Sequence, residues 1–165
     1  MIKNLDVSLV EDFSSLFRTI AFGVKTLDLS GWKTSNVEYM DAMFYGCRSL
    51  KSLNLSGWDT SNVKNMSWAF SGCLNLNSLD LSGWGTSNVK DMGYMFQDCG
   101  KLKSLDLSGW NISKVINMSW MFKRCANLES LDLSGWDTYV VKNMNGMFYD
   151  CSAPYDVVDN KIVRK

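Results

Sequence analysis

The stretch Leu79-Asp-Leu-Ser-Gly-Trp-Gly-Thr-Ser-Asn-Val-Lys-Asp-Met-Gly-Tyr-Met-Phe-Gln-Asp-Cys99 decides the fold, because it recurs. Its opening Leu-Asp-Leu-Ser-Gly-Trp begins at Leu27, Leu53, Leu79, Leu105 and Leu131, with Asn54 the one replacement for Asp, and the interval is 26 residues each time. Cys47, Cys73, Cys99, Cys125 and Cys151 keep that interval, as do Trp32, Trp58, Trp84, Trp110 and Trp136. A unit this small cannot bury its Leu, Trp, Val, Met, Phe and Cys alone. Each such side chain stands to gain roughly 1.5–3 kcal/mol only when a neighbouring unit covers it. Stacking is therefore the route to a core.

The period changes inside each unit. Leu50-x-x-Leu53-x-Leu55 alternates as a strand does, with Leu53 and Leu55 on one face and Asn54 on the other. Ser56-Gly57 turns the chain. Val63, Met66, Ala69, Phe70 and Cys73 then follow at the spacings of one helical face, and Thr60 or Ser61 stands where an N-cap belongs. The pattern predicts an α/β, leucine-rich-repeat-type solenoid of about six coils. A parallel strand ladder forms one face and short helices the other, in a single domain spanning residues 1–165.

The ends differ from the middle. Residues 1–26 read as a degenerate capping repeat: Leu5 to Phe17 aligns with Trp58 to Phe70, with Leu5 for the Trp and Ile20 for the Cys. Residues 27–152 hold the five regular repeats. In residues 153–165, Pro154 replaces a Leu, and Val157 to Val163 predicts a short capping hairpin turning near Asp159-Asn160.

The five copies resemble the bacterial surface-protein 26-residue repeat, grouped with BspA-like leucine-rich repeats. The resemblance is strong over residues 27–152 and weak over 5–26. It implies a bacterial, surface-exposed protein whose repeats serve adhesion or protein binding, and it supplies no catalytic residues. Members typically carry a signal or lipoprotein leader, sometimes with a wall anchor, whereas Met1-Ile2-Lys3-Asn4-Leu5-Asp6 has no apolar stretch. The expected location is the bacterial surface or the exterior, with the export signal outside this chain; the cytoplasm is the alternative.

Composition narrows the chemistry. Lys plus Arg and Asp plus Glu number 17 each, so no strong field draws nucleic acid or an anionic membrane. No apolar run is long enough to span a bilayer. With no His, the usual Ser-His-Asp and Cys-His sites are absent. No phosphate loop, dinucleotide fingerprint or calcium loop appears. We expect a non-enzymatic monomer without catalytic residues, metal or cofactor.

Three rows of side chains invite a role. The cysteines repeat too far apart for zinc ligation, and equivalent side chains on successive units run parallel; they read as a buried, reduced ladder rather than as disulfides or a metal site. The strand row Asp28, Asn54, Asp80, Asp106 and Asp132, flanked by Ser30, Ser56, Ser82, Ser108 and Ser134, puts carboxylates roughly 5 Å apart, as in retaining glycosidases. A solvated polar face is the simpler reading, and ligand contact ranks second. The third row is Ala42, Trp68, Tyr94, Trp120 and Gly146. On a helical wheel Trp68, Tyr94 and Trp120 point away from the core, with Tyr45, Lys123 and Tyr149 at the next outward position. Such a column suits a sugar ring or an apolar protein surface, and it also suits local packing. The expected partner is a protein or glycan at a cell surface, with a structural spacer and an intracellular interaction module as rivals. The five repeat tryptophans read as core.

Overall fold

The computed structural model describes residues 2–18 and 23–165, so Ile20 lies outside the described residues. Repeated Ser-Leu-Asp segments pair in parallel at the 26-residue offset. Strand β1 (Thr26–Asp28) pairs with β2 (Ser52–Asn54), and β3 (Ser104–Asp106) with β4 (Ser130–Asp132). The register sets Leu27 opposite Leu53 and Leu105 opposite Leu131. Residues 78–80 of the unit between them carry no regular strand, so this ladder is two short parallel pairs. A second parallel ladder runs through all the units as single bridges at Asp12, Tyr39, Asn65, Asp91, Asn117 and Asn143. The result is a repeat-type fold of in-register units.

The expected short helices do not form. Among the described residues the only helical segment is a 3₁₀ turn, Ile2–Asn4. In the segment predicted as a helix, donors alternate in direction. Ala69, Ser71 and Cys73 donate to carbonyls three residues back, Met66, Trp68 and Phe70, at 3.0–3.2 Å. Met66, Trp68, Phe70 and Gly72 instead donate to Asp91, Gly93, Met95 and Gln97 of the next unit at 2.7–3.0 Å. An α-helix would keep all of these donors within the segment.

What redirects them is a left-handed residue at every fourth position, Trp68 (φ 60°) and then Gly72 (φ 75°), each at the third position of a tight turn. The same corners recur at Ala42, Tyr94, Trp120 and Gly146, and at Gly46, Asp98, Arg124 and Asp150. Two such turns in series bury the same Met, Phe and Cys as a helical face would, so the apolar spacing did not distinguish them. Thr60 is likewise no N-cap: its hydroxyl donates to the Gly85 carbonyl at 3.1 Å, as Thr34 does to Asp59 and Thr86 to Asn111.

Between the ladders the core repeats as stacks. Phe17, Phe44, Phe70, Phe96, Phe122 and Phe148 lie 5.3–5.7 Å apart and within 7° of parallel. Trp32, Trp58, Trp84 and Trp110 are spaced 6.2–6.5 Å apart. Aromatic pairs of this kind add about 0.5–1.5 kcal/mol each beyond the area they bury. The indole N–H of Trp58, Trp110 and Trp136 reaches the carbonyl of Leu29, Leu81 and Leu107, one unit back. Trp84 finds no such acceptor. At the first unit Leu5 is exposed rather than standing in for a tryptophan, and Phe13 and Phe17 pack on Trp32.

At the other end, β5 (Tyr155–Val158) and β6 (Lys161–Arg164) form an antiparallel hairpin. Its two-residue turn has positive φ at both Asp159 and Asn160, the twist-matched form. Tyr155, Val157 and Ile162 rest on the end of the core, and the Asn160 amide donates to the Val141 carbonyl.

The corners make a prediction of opposite sign to a helix. Arg124 is exposed at φ 55°, where two other units carry Gly. In a helix Arg124→Gly would cost about 1 kcal/mol. Here it should raise stability by a few tenths to about 1 kcal/mol, because it removes a left-handed non-glycine residue. Urea unfolding followed by tryptophan fluorescence reads the sign.

Candidate functional site

The aromatic row is built on the first of the two left-handed corners. Each ring leaves the backbone at the same turn of successive units, so rings one unit apart meet. Trp68 and Tyr94 stack face to face at 3.9 Å and 7°; Tyr94 and Trp120 follow at 6.5 Å and 24°. At both ends of the row the corner residue is small, Ala42 or Gly146, and the tyrosine three residues on turns in edgewise. Tyr45 meets Trp68 at 5.8 Å, and Tyr149 meets Trp120 at 6.0 Å. Gly146 is required there, since a Cβ would sit 2.2 Å from the Trp120 ring.

Cations close the two ends. The Arg18 guanidinium lies 5.0 Å over Tyr45, and the Lys123 ammonium 4.6 Å over Trp120 and 6.0 Å over Tyr149. Tyr45, Trp68, Tyr94, Trp120 and Lys123 are half-buried, and Tyr149 is 54% exposed. The rings do not simply project outward as the wheel predicted, because no helix carries them. Trp68 and Tyr94 spend a face on each other, and every ring of the row is part-exposed. A small hollow of about 240 Å³ opens beside the row between Arg18, Ala42, Tyr45 and Trp68. Arg18 was not legible as part of this set, since it stands in the degenerate first unit.

The strand row has a definite structural task. The Oδ1 of Asp28, Asn54, Asp80, Asp106 and Asp132 accepts the backbone N–H of the serine two residues on, at 2.8–3.1 Å. The hydroxyls of Ser30, Ser82 and Ser108 donate to the same oxygens of Asp28, Asp80 and Asp106. The Lys3 ammonium, then the two Ser30 donors, hold the Asp28 carboxyl down to about 2. The Ser82 N–H and hydroxyl lower Asp80, and the Ser108 hydroxyl and N–H lower Asp106. A proton donor needs the opposite shift.

All five cysteines are free thiols, four of them buried. Cys47, Cys73, Cys99 and Cys125 donate through Sγ to the carbonyls of Phe17, Phe44, Phe70 and Phe96 one unit back. Burial pushes the Cys99 thiol up to about 12, far from a reactive thiolate.

One break in the repeat lies outside the three rows. Asn36, Asn62 and Asn88 tie to serine carbonyls of the preceding unit through their amides. The last unit has Tyr139-Val140 in place of Ser-Asn, and Tyr139 is 91% exposed between clefts of about 580 and 380 Å³. An apolar residue at an otherwise polar repeat position was the available signal.

Stacked 26-residue units with continuous aromatic rows define a repeat protein. The chain matches the family described as Mycoplasma protein of unknown function, DUF285, over residues 1–77 and again over 67–160, and belongs to that family. No curated protein and no solved structure matches it. Among the described residues no helix is long and apolar enough to cross a membrane.

The strand row sets an acid dependence. The carboxyls of Asp28, Asp80 and Asp106 are depressed in the fold, so their contribution is complete above the ordinary carboxylate range near pH ~4 and is lost as pH falls below it, for Asp28 towards about 2. The melting temperature should fall across that window. Asp80→Asn with Asp106→Asn should lessen the fall, since Asn54 makes the same turn without a titrating group. An unchanged acid profile in the double variant would remove these turns as its source.

Proposed function

We propose that the chain is a BspA-like, leucine-rich-type solenoid that works by recognition rather than catalysis, holding an apolar protein surface at a bacterial cell surface. The contact is the row Tyr45, Trp68, Tyr94, Trp120 and Tyr149 with Lys123. The observation that carries this reading is the row itself, five part-exposed aromatic side chains in unbroken succession along the units. Contiguous aromatic strips are uncommon on surfaces that bind nothing. They are frequent anchors of protein interfaces.

Ring geometry favours a protein over a glycan. A pyranose binds by lying on an aromatic face, and the 3.9 Å between Trp68 and Tyr94 admits nothing. Edges suit an apolar protein surface, supplemented by indole N–H and phenol donors. Among the described residues the Trp68 and Trp120 indoles have no acceptor, nor are they sealed from solvent. The bacterial surface location is supported by the repeat resemblance. The spacer reading is favoured by one observation: a self-satisfied stack can serve as packing between units.

The test replaces the centre of the row with Trp68→Ser, Tyr94→Ser and Trp120→Ser. Wild type and variant are screened against cell-surface proteins and a glycan array after circular dichroism shows both folded. We expect the wild type to bind a protein and the triple variant to lose at least about 2 kcal/mol of affinity, roughly thirtyfold. Equal binding by both would move the site elsewhere, and no binding by either would leave the spacer reading ahead.

A further inference from the structure

The hydrogen bonds between units leave one row of backbone donors over. Met118, Trp120, Phe122 and Arg124 donate to Asn143, Asn145, Met147 and Tyr149 of the last unit at 2.8–2.9 Å. The equivalent groups of that last unit, the N–H of Met144, Gly146, Phe148 and Asp150, have no acceptor among the described residues. Where a further unit would supply carbonyls, the hairpin stands off and leaves a cavity of about 490 Å³. Met144, Gly146 and Phe148 line one wall; Asp156 and Val157 of the hairpin line the other.

We infer that this cavity is a slot for an extended peptide segment. Alternate backbone carbonyls of the peptide accept from Met144, Gly146 and Phe148 and continue the ladder by one strand. Three features select that ligand. The N–H groups of Met144, Gly146 and Phe148 lack a protein acceptor and belong to residues that line an open cavity, so an entering carbonyl finds three donors unengaged. The left-handed corner at Gly146 (φ 61°) aims N–H groups two residues apart in one direction. Carbonyls on one edge of an extended chain repeat at the same two-residue interval.

The charges around the slot then decide between a peptide and a free anion. Such N–H arrays also cradle oxyanions. Lys142 and Lys165 at the rim are matched by Asp156 and Asp159. The rim has no net charge to concentrate phosphate, and neutral carbonyls enter without penalty. The slot adjoins the end of the aromatic row, since Tyr149 lines it and Gly146 packs against the Trp120 ring, but its ligand contacts are backbone N–H groups, so the two proposals are tested by different variants.

Amide hydrogen exchange by NMR on the whole chain reads the site directly. Without ligand, Met144, Gly146 and Phe148 should exchange fast, whereas Met118, Trp120 and Phe122 are protected. Capped pentapeptides alternating Thr with Val, Lys or Asp are then added. At about ten times its Kd, a binding peptide should slow the three amides about tenfold and leave Phe122 unchanged. Val157→Trp, which narrows the slot, should abolish that slowing while Phe122 stays protected as evidence of folding. Slowing by sodium phosphate but by none of the peptides would assign the row to an oxyanion and overturn the proposal. Protection that rises with protein concentration alone would assign it to a second copy. Three amides indifferent to every peptide at millimolar concentration would also overturn it.

Discussion

Everything in this molecule depends on the left-handed corner that lets a turn segment spend half its donors on its neighbour. Trp68 and Gly72, with their counterparts in the other regular units, rotate alternate N–H groups out of the segment, and in all but the last of these units into the next one. Without those corners the segment would close on itself as a helix, and units would meet only through side chains. With them, units are bonded through the backbone along two ladders. Phe, Trp and Cys then fall into single-file stacks because their backbones are already in register. Thr and Asn side chains add a third set of ties, each reaching a carbonyl one unit away.

The corners also explain why a surface feature is hard to tell from a structural one. A bulky residue at positive φ is strained by roughly 1–2 kcal/mol. Trp68, Tyr94 and Trp120 accept that strain at positions where Ala42 and Gly146 show that a small residue suffices. Stacking between the rings offsets part of the cost, and recognition supplies a reason for the rest. The strand row illustrates the reverse case. Its carboxylates line up with the geometry of a site, yet each Oδ1 is already committed to a serine N–H two residues away.

Much of the repeat was legible because it was stated five times. The 26-residue interval, the burial of Leu55, Val63, Met66 and Phe70, and the stacked tryptophans follow from periodicity that needs no knowledge of backbone angles. The helix is a false reading of the pattern because residues 63, 66, 69, 70 and 73 occupy the buried side of two serial turns as naturally as one helical face. The available counter-signal was Gly46 and Gly72 where a helix disfavours glycine, but Asp98, Arg124 and Asp150 at the same position obscured it. Arg18, Tyr139 and the donors of the last unit lay beyond the repeat pattern. The first two depart from it, and a missing acceptor has no letter in a sequence.

The ladder has one further property. Between the regular units four turn-segment N–H groups, such as those of Met66, Trp68, Phe70 and Gly72, cross to the later unit, against one at the start of the segment, Lys64 to Glu38, that points back. The peptide dipoles involved therefore add along the stack instead of cancelling, as they do in a helix. One end of the molecule is left partially positive and the other partially negative. A chain with 17 cationic and 17 anionic side chains is thus neutral in sum but electrically directional. Each added repeat lengthens that dipole, so the repeat number sets a field as well as a length.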